Sequence, residues 1–426
     1  MTKVSVPTQE RGRERTLLVI FHFKHERDDW MPSDVLYEME ELVKTSGGQV
    51  VDSIICRIDK ISARSIIGEG KLEEIAQLCA QKKVETVIFS HDLKGSQQRN
   101  IEEVVQVKTI DRTQLILDIF AKHATSKEGK MQVELAQLEY LLPRLVGRGI
   151  ELSRLGGGIG TLGPGETKLE MDRRKIGQRI TRLKRELENV AASRAQTRKQ
   201  RKKKGLPLIS LVGYTNAGKS TLLNTLTAAQ QKTQEGLFTT LDSLARQLML
   251  PNHQKVVLSD TVGFMHALPH DLIEAFKATL EEVREADLLL HVLDVSHENF
   301  RQIYDSVRVV LRELGAAGKP TLVVLNKIDK VAERDWLKNL EENFDPAVSI
   351  SAKEKIHIDR LLEKIQAMLS VMSVEINIHI PIQRMDLVNL AHEEGEVLSV
   401  KYYNDRIHLR AVVPSQLAGK FIPINI

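Results

Sequence analysis

The sequence is poor in the features that define several large classes of protein. Its 426 residues contain two cysteines, Cys56 and Cys79. Two thiols cannot build a disulfide framework or a four-thiolate metal cluster, and they fit a reducing compartment. No apolar run reaches the roughly 18 residues needed to cross a membrane. The opening MTKVSVPTQERGRERTLLVI lacks the small-residue cleavage pattern of a secretory signal. No long internal repeat is visible, so a solenoid or propeller is not indicated. The reading is a cytoplasmic chain without membrane insertion, monomeric in solution.

An excess of one sign of charge is also small overall, a net of +4, but it is unevenly spread. Between Glu166 and Lys204 there are 15 Lys or Arg against 5 Asp or Glu, a local +10, so the remainder sums to −6. A basic stripe on an otherwise acidic chain suits a polyanion partner; a solvated helix followed by a basic linker has the same composition.

What is present is ordinary for globular domains, 42% hydrophobic and 28% charged, with length for two or three cores. Residues 1–110 read as a small α/β domain. TLLVIFHF, VDSIICRID and VETVIFS have strand character, and helical spacing lies between them in VLYEMEELVKTSGG and KLEEIAQLCAQKK. Cys79 shares a helical face with Leu72, Ile75 and Leu78, which makes it a core residue. The four residues 68-GEGK-71 read as a turn and helix start rather than a phosphate loop.

Residues 111–197 change to three-and-four spacing. Met131, Leu135, Leu138, Leu142 and Leu145 form one stripe; Leu169, Ile176, Leu183 and Val190 form another at seven-residue intervals. The expectation is an antiparallel helical hairpin with the glycine-rich run SRLGGGIGTLGPGET between its helices, at one end. RKQRKKKG then reads as a basic linker, 198–206. Residues 207–372 alternate apolar strands with helices, as an open parallel sheet requires, and 373–426 read as a small βαββ domain. The fold class is α/β: a P-loop domain with a parallel-rich sheet, preceded by a small α/β domain and helical hairpin and followed by a small α+β domain.

The chemistry concentrates in 207–372. The stretch 213-GYTNAGKS-220 follows the apolar run LPLISLV and precedes a helical pattern, the context a Walker A loop needs. Gly213, Asn216, Ala217, Gly218, Lys219, Ser220 and Thr221 are the phosphate-binding candidates. Backbone amides can close around α- and β-phosphates, Lys219 can reach the β/γ-phosphates, and Ser220 Oγ can ligate Mg2+. The segment 326-NKID-329 selects the base. A carboxylate on Asp329 can accept from both N1–H and the exocyclic amine of guanine, a pair adenine lacks. Asn326 and the stem of Lys327 complete that contact, and Ser351, Ala352 and Lys353 in VSISAK can meet the guanine oxygen.

Between these lie GLFTTLD and VVLSDTVGF. Phe238, Thr239, Thr240, Gly263 and Phe264 are the switch candidates. Thr240 is the magnesium-binding one, Asp260 would hold the metal through water, and the Gly263 amide can meet a γ-phosphate. Phe264 stands where many GTPases carry a water-orienting glutamine, so a polar catalyst must come from elsewhere in the chain, a partner or a cation. The side-chain oxygen of Asn216 is a candidate for helping K+, and His266 reads as a local structural histidine. These elements together point to GTP as the expected substrate and to its hydrolysis to GDP and phosphate as the expected reaction.

The glycine run with its continuation KLEMDRRKI, the preceding EYLLPRL, and the GYTNAGKS, FTTLD, DTVGF and NKID set together resemble the HflX GTPases across essentially the whole chain. The resemblance implies binding to ribosomes, chiefly the large subunit and its rRNA, and GTP-dependent splitting or rescue of stalled ribosomes under stress such as heat shock. A GTP-gated assembly or storage factor without splitting activity is the other reading. The resemblance also implies rRNA contacts near the hairpin, which it places on Gly156, Gly157, Gly158, Gly160, Gly163, Gly165, Arg173, Arg174 and Lys175. An apolar residue after Gly263 is family-like. The glycine run lacks a Gly-Lys-Ser/Thr ending, so it reads as permitting close approach to RNA backbone, or as a structural connector.

Overall fold

A computed structural model of the chain describes residues 13–24, 30–59, 61–145, 164–203, 205–227, 244–265, 277–331, 335–370 and 373–421. It divides into two compact units, 1–187 and 188–426. Among the described residues no helix is long and apolar enough to cross a membrane.

The first unit opens with β1 (Arg15–Phe23), α1 (Pro32–Ser46), β2 (Gln49–Ile58), α2 (Glu69–Lys82), β3 (Thr86–Phe89), α3 (Gly95–Val105) and β4 (Lys108–Asp111). The strands form a parallel sheet in the order β2-β1-β3-β4. Leu17, Leu18, Val19 and Ile20 are all fully buried, because helices cover both faces and every side chain of the central strand needs an apolar neighbour. Gly68 is the N-cap of α2, so GEGK is a helix start, and Cys79 is buried in the sheet's core.

Helices α4 (Arg112–His123), α5 (Lys127–Leu141) and α6 (Pro164–Lys203) follow. Asp111 caps α4 by accepting from Gln114 N at 2.9 Å, and Ser126 caps α5 by accepting from Gly129 N at 2.8 Å. The Tyr140 hydroxyl returns to Asp111 Oδ1 at 2.8 Å, so α4 and α5 are the antiparallel pair. This corrects the hairpin expected around the glycine run. Arg179 pairs with Glu134 and Lys184 with Glu139, both bridges offset by the same 45 residues. A constant offset means that α5 and α6 run in the same direction; an antiparallel pair keeps a constant sum instead. The linker expected at 198–206 is also corrected, because α6 continues to Lys203. Arg, Lys and Gln are good helix formers, and nothing interrupts them before Gly205, at φ 70°. There Leu206 N closes back on Arg201 O at 3.3 Å.

The second unit contains β5 (Leu208–Val212), α7 (Lys219–Thr227), β6 (Leu244–Met249), β7 (Lys255–Asp260), α8 (Lys277–Glu285), β8 (Leu288–Asp294), α9 (Phe300–Glu313), β9 (Thr321–Asn326), α10 (Asp335–Asn343), β10 (Ala347–Ser349) and α11 (Ile358–Ser370). Its sheet order is β10-β9-β8-β5-β7-β6, parallel except for the edge strand β6. A second sheet, antiparallel in the order β11-β13-β12, is built from β11 (Ser373–Pro381), β12 (Glu396–Tyr402) and β13 (Arg406–Pro414). Helices α12 (Met385–Glu394) and α13 (Ser415–Phe421) accompany it, the latter adding one element to the expected βαββ pattern. The carboxyl ends of β5, β7, β8 and β9 share one edge of the six-stranded sheet, where ligands of open α/β sheets are held.

Candidate functional site

The loop after β5 turns through residues 213–218 into α7. Gly218 sits at φ 97°, and a Cβ there would fall 2.3 Å from Asn326 Nδ2, so only glycine fits. Asn216 takes a left-handed φ of 59° at the exposed tip of the turn. Lys219 is buried, its Nζ donating to Gly213 O at 3.0 Å and Tyr214 O at 2.7 Å. Burial pushes its pKa down to about 8, against the opposing charge of Asp260.

Asp260 is fully buried at the end of β7, and Ser220 Oγ donates to its Oδ2 at 2.7 Å. Two hard oxygen donors are thus side by side at the strand edge, a chemistry suited to Mg2+. Among the described residues there is no group of three or more His, Cys, Asp or Glu that could hold a metal. Gly263 lies against the loop, and a Cβ on it would come within 2.9 Å of Thr215 Cα and 3.0 Å of Lys219 Nζ. Phe264 N donates to Gly213 O at 3.0 Å, and Thr215 N donates to Phe264 O at 2.8 Å. The Phe264 ring is buried, and this residue stitches the two loops through its backbone.

Asn326 joins three loops. Its Nδ2 donates to Ala217 O at 2.8 Å, and its Oδ1 accepts from Ala352 N at 3.0 Å. Ser351 Oγ donates to Asp329 Oδ1 at 2.6 Å, which fixes the carboxylate expected to read the base. Lys327, at φ 66°, pairs with Asp294 Oδ2 at 2.6 Å. Thr225 Oγ1 on α7 donates to Ala352 O at 2.8 Å, while Lys353 is exposed. Every described candidate from 213 to 353 therefore gathers at one sheet edge. Phe238, Thr239, Thr240 and His266 lie outside the described residues.

Asp294 and Thr225 were not read from the sequence; the aspartate at the end of VLD, one strand before NKID, was the available signal for the first. His291 was also missed. It is buried in β8, stacked on Tyr304 with ring centroids 4.9 Å apart, and its Nε2 has no hydrogen-bond partner among the described residues. Burial, helped by Lys219 and Arg308, pushes its pKa down to about 3.

Of the RNA-contact candidates, Gly156, Gly157, Gly158, Gly160 and Gly163 lie outside the described residues. Gly165 is in the first turn of α6, behind Pro164, which suits a helix start. Arg173, Arg174 and Lys175 are exposed on α6, whereas Arg179 is held by a two-pronged bond to Glu134.

A strand, a phosphate-type loop and a helix, with the 326–329 loop stitched to them, define a P-loop GTPase domain. Comparison with known proteins agrees. Residues 208–327 match the family model described as 50S ribosome-binding GTPase, 33–121 the GTP-binding GTPase N-terminal model, and 123–201 the GTP-binding GTPase middle region. The GTPase HflX of Caldanaerobacter subterraneus subsp. tengcongensis is 45% identical over 96% of this chain and 92% of its own. That of Escherichia coli K12 is 42% identical over 84% of this chain and 83% of its own. A GTP-binding protein from Sulfolobus solfataricus, solved in complex with GDP, is 28% identical, with 83% of this chain and 98% of that one covered and a TM-score of 0.42. The chain belongs to the HflX family of GTPases.

Proposed function

We propose that this protein is a cytoplasmic, monomeric factor whose GTP state governs attachment to the large ribosomal subunit and its rRNA. In this reading it promotes the splitting or rescue of stalled ribosomes under stress such as heat. The observation that carries the nucleotide half is the Asn326 junction, which holds the phosphate loop, the base-reading loop and the 351–353 loop in one constellation. The ribosomal half is supported by the 50S-binding description of the model matched at 208–327 and by the exposed Arg173, Arg174 and Lys175. Such cations can neutralise RNA phosphates without reading sequence.

Within this reading, the amides of 213–218 with Lys219, Ser220 and Thr221 hold the phosphates, and the Gly263 amide meets the γ-phosphate. Asp329, aligned by Ser351, reads guanine, with the Lys327 stem against the ring. Mg2+ would be held by Ser220, by Asp260 through water and by Thr240; when bound it neutralises charge on the β- and γ-oxygens. Phe264 cannot orient water, so the polar catalyst is supplied from outside its side chain, and the exposed Asn216 oxygen is the candidate for a K+ ion beside the phosphates. In domain terms, residues 207–372 act on the nucleotide and the parts before them engage the ribosome.

Sedimentation of intact ribosomes with the protein and GTP, beside the same mixture with GDP, tests this. Separate subunits with GTP alone support the reading. Co-sedimentation without separation would favour an assembly or storage factor, and no association in either state would remove the ribosome as partner.

A further inference from the structure

The last turns of α6 contact α8. Arg198 Nη1 lies 2.8 Å from Glu281 Oε2 on α8, and both side chains are largely shielded, at 21% and 31% exposure. Arg201 is one turn further along α6 and so on the same face. Burial pulls its guanidinium pKa below the ordinary value, and the carboxylates of Glu282, Asp287 and Glu285 oppose that. Glu282 in turn accepts from Ser259 Oγ on β7. Ser259 immediately precedes Asp260, the carboxylate bonded to Ser220. At the far end of α8, Asp287 exchanges two bonds with Leu208 at the start of β5, one through its side chain and one through its backbone, each 2.8 Å.

These interactions tie α8 both to the strand that ends at Asp260 and to the basic end of α6. A half-shielded ion pair is sensitive to small displacements, because attraction falls with distance while the cost of removing both charges from water stays. The same α6 carries Arg173, Arg174 and Lys175 nearer its start. A change in the 260–264 segment therefore has a short polar route to α6, through Ser259 and Glu282 and through the adjacent Glu281.

We propose that Arg198, with Glu281 as its partner, is a positioning residue that makes the conformation of α6 depend on whether the site at Ser220, Asp260 and Gly263 holds GDP or GTP. The pair touches no nucleotide and acts through α8. The inference deepens the proposed GTP-state control of ribosome attachment and rests on that reading.

Hydrogen exchange of the amides at 188–203 in the full-length protein, with GDP and with a non-hydrolysable GTP analogue, is the test. Wild type should show exchange differing by about threefold between the two nucleotides, a local stability change of the size one partly exposed ion pair supports. Arg198→Glu should reduce that difference to within the error while leaving the affinity for a fluorescent GDP unchanged. The charge-swapped double variant Arg198→Glu/Glu281→Arg should restore it. A difference that survives in Arg198→Glu, that the swap does not restore, or that wild type never shows overturns the proposal and leaves the pair as a structural brace. Ribosome sedimentation of the same samples separates the two ideas. Loss of the exchange difference in Arg198→Glu, with wild type failing to bind ribosomes, keeps the coupling and removes the ribosomal reading; the reverse result removes only the coupling.

Discussion

The amide of Asn326 is satisfied at both ends, donating to Ala217 O at 2.8 Å and accepting from Ala352 N at 3.0 Å. Asn326→Asp keeps the size and one acceptor but turns the donor end into a carboxylate oxygen facing a carbonyl. At a position 2% exposed this should cost about 1–3 kcal/mol of stability and weaken GDP and GTP together by tenfold or more. Urea unfolding and fluorescent-nucleotide titration measure the two effects; unchanged affinity would show that the junction does not shape the site.

Asp329→Asn should change which base is accepted. An amide offers a donor where guanine presents its amine, so GTP affinity should fall roughly 100-fold, while XTP, with a carbonyl at that position, should gain. Competition between the two nucleotides reads this directly. Ser351→Ala, which removes the 2.6 Å bond aligning Asp329, should weaken GTP without creating a preference for XTP.

Gly263→Ala places a methyl group within 2.9 Å of the Thr215 backbone and 3.0 Å of Lys219 Nζ. The loop must shift to accept it, and misplaced groups cost rate steeply, so hydrolysis should fall about tenfold or more with a smaller change in GDP affinity. Single-turnover rates beside equilibrium titration separate the two; equal losses in both would assign Gly263 to binding alone.

His291 gives the second unit a defined response to acid. Its pKa is about 3 in the folded chain, below the ordinary 6.5 of an exposed histidine. Below pH 6.5 the unfolded chain takes up a proton that the folded chain does not, so stability falls as pH drops from 6.5 toward 3. Between pH 7.5 and 5.5 the decrease from this residue is about 1.4 kcal/mol. His291→Phe, which preserves a ring against Tyr304, should remove about that much of the pH dependence in urea unfolding. A slope unchanged by the substitution would place the acid sensitivity elsewhere.

Replacing Arg173, Arg174 and Lys175 together with alanine should weaken large-subunit binding and lower the salt-dependence slope by about 2–3, roughly one for each RNA phosphate these cations no longer neutralise. Nucleotide affinity should not change, since these side chains are exposed on α6 and distant in sequence from the 213–353 loops. An unaltered salt titration would remove them from the RNA interface.

The parts of the fold that were legible in the sequence were those with strong local patterning. LISLV and LLLHVLD are predominantly apolar, broken by Ser210 and His291, because both faces of β5 and β8 are covered, and the loops after them carry residue types that phosphate and guanine chemistry demand. Helix α3 and strand β4 were not read, since GSQQRNIEEVV buries only Gln97, Ile101 and Val105, and KTID is too short to show a period. Edge strand β6 gave a similarly faint signal, being paired on one side only. Hairpin partners were misassigned for a different reason: a heptad stripe states which face is apolar but not which helix it meets, nor in which direction.

By itself, the sequence determined the chemistry at the nucleotide edge, because Gly, Lys, Ser, Asn and Asp at those spacings act through local backbone geometry and donor types. Only tertiary structure decided that Phe264 ties the two loops together through its backbone, that Asp294 restrains Lys327, and that α6 runs parallel to α5 and ends on α8. Those relations join residues dozens of positions apart, and no local period or propensity encodes which distant surfaces come together when the cores close.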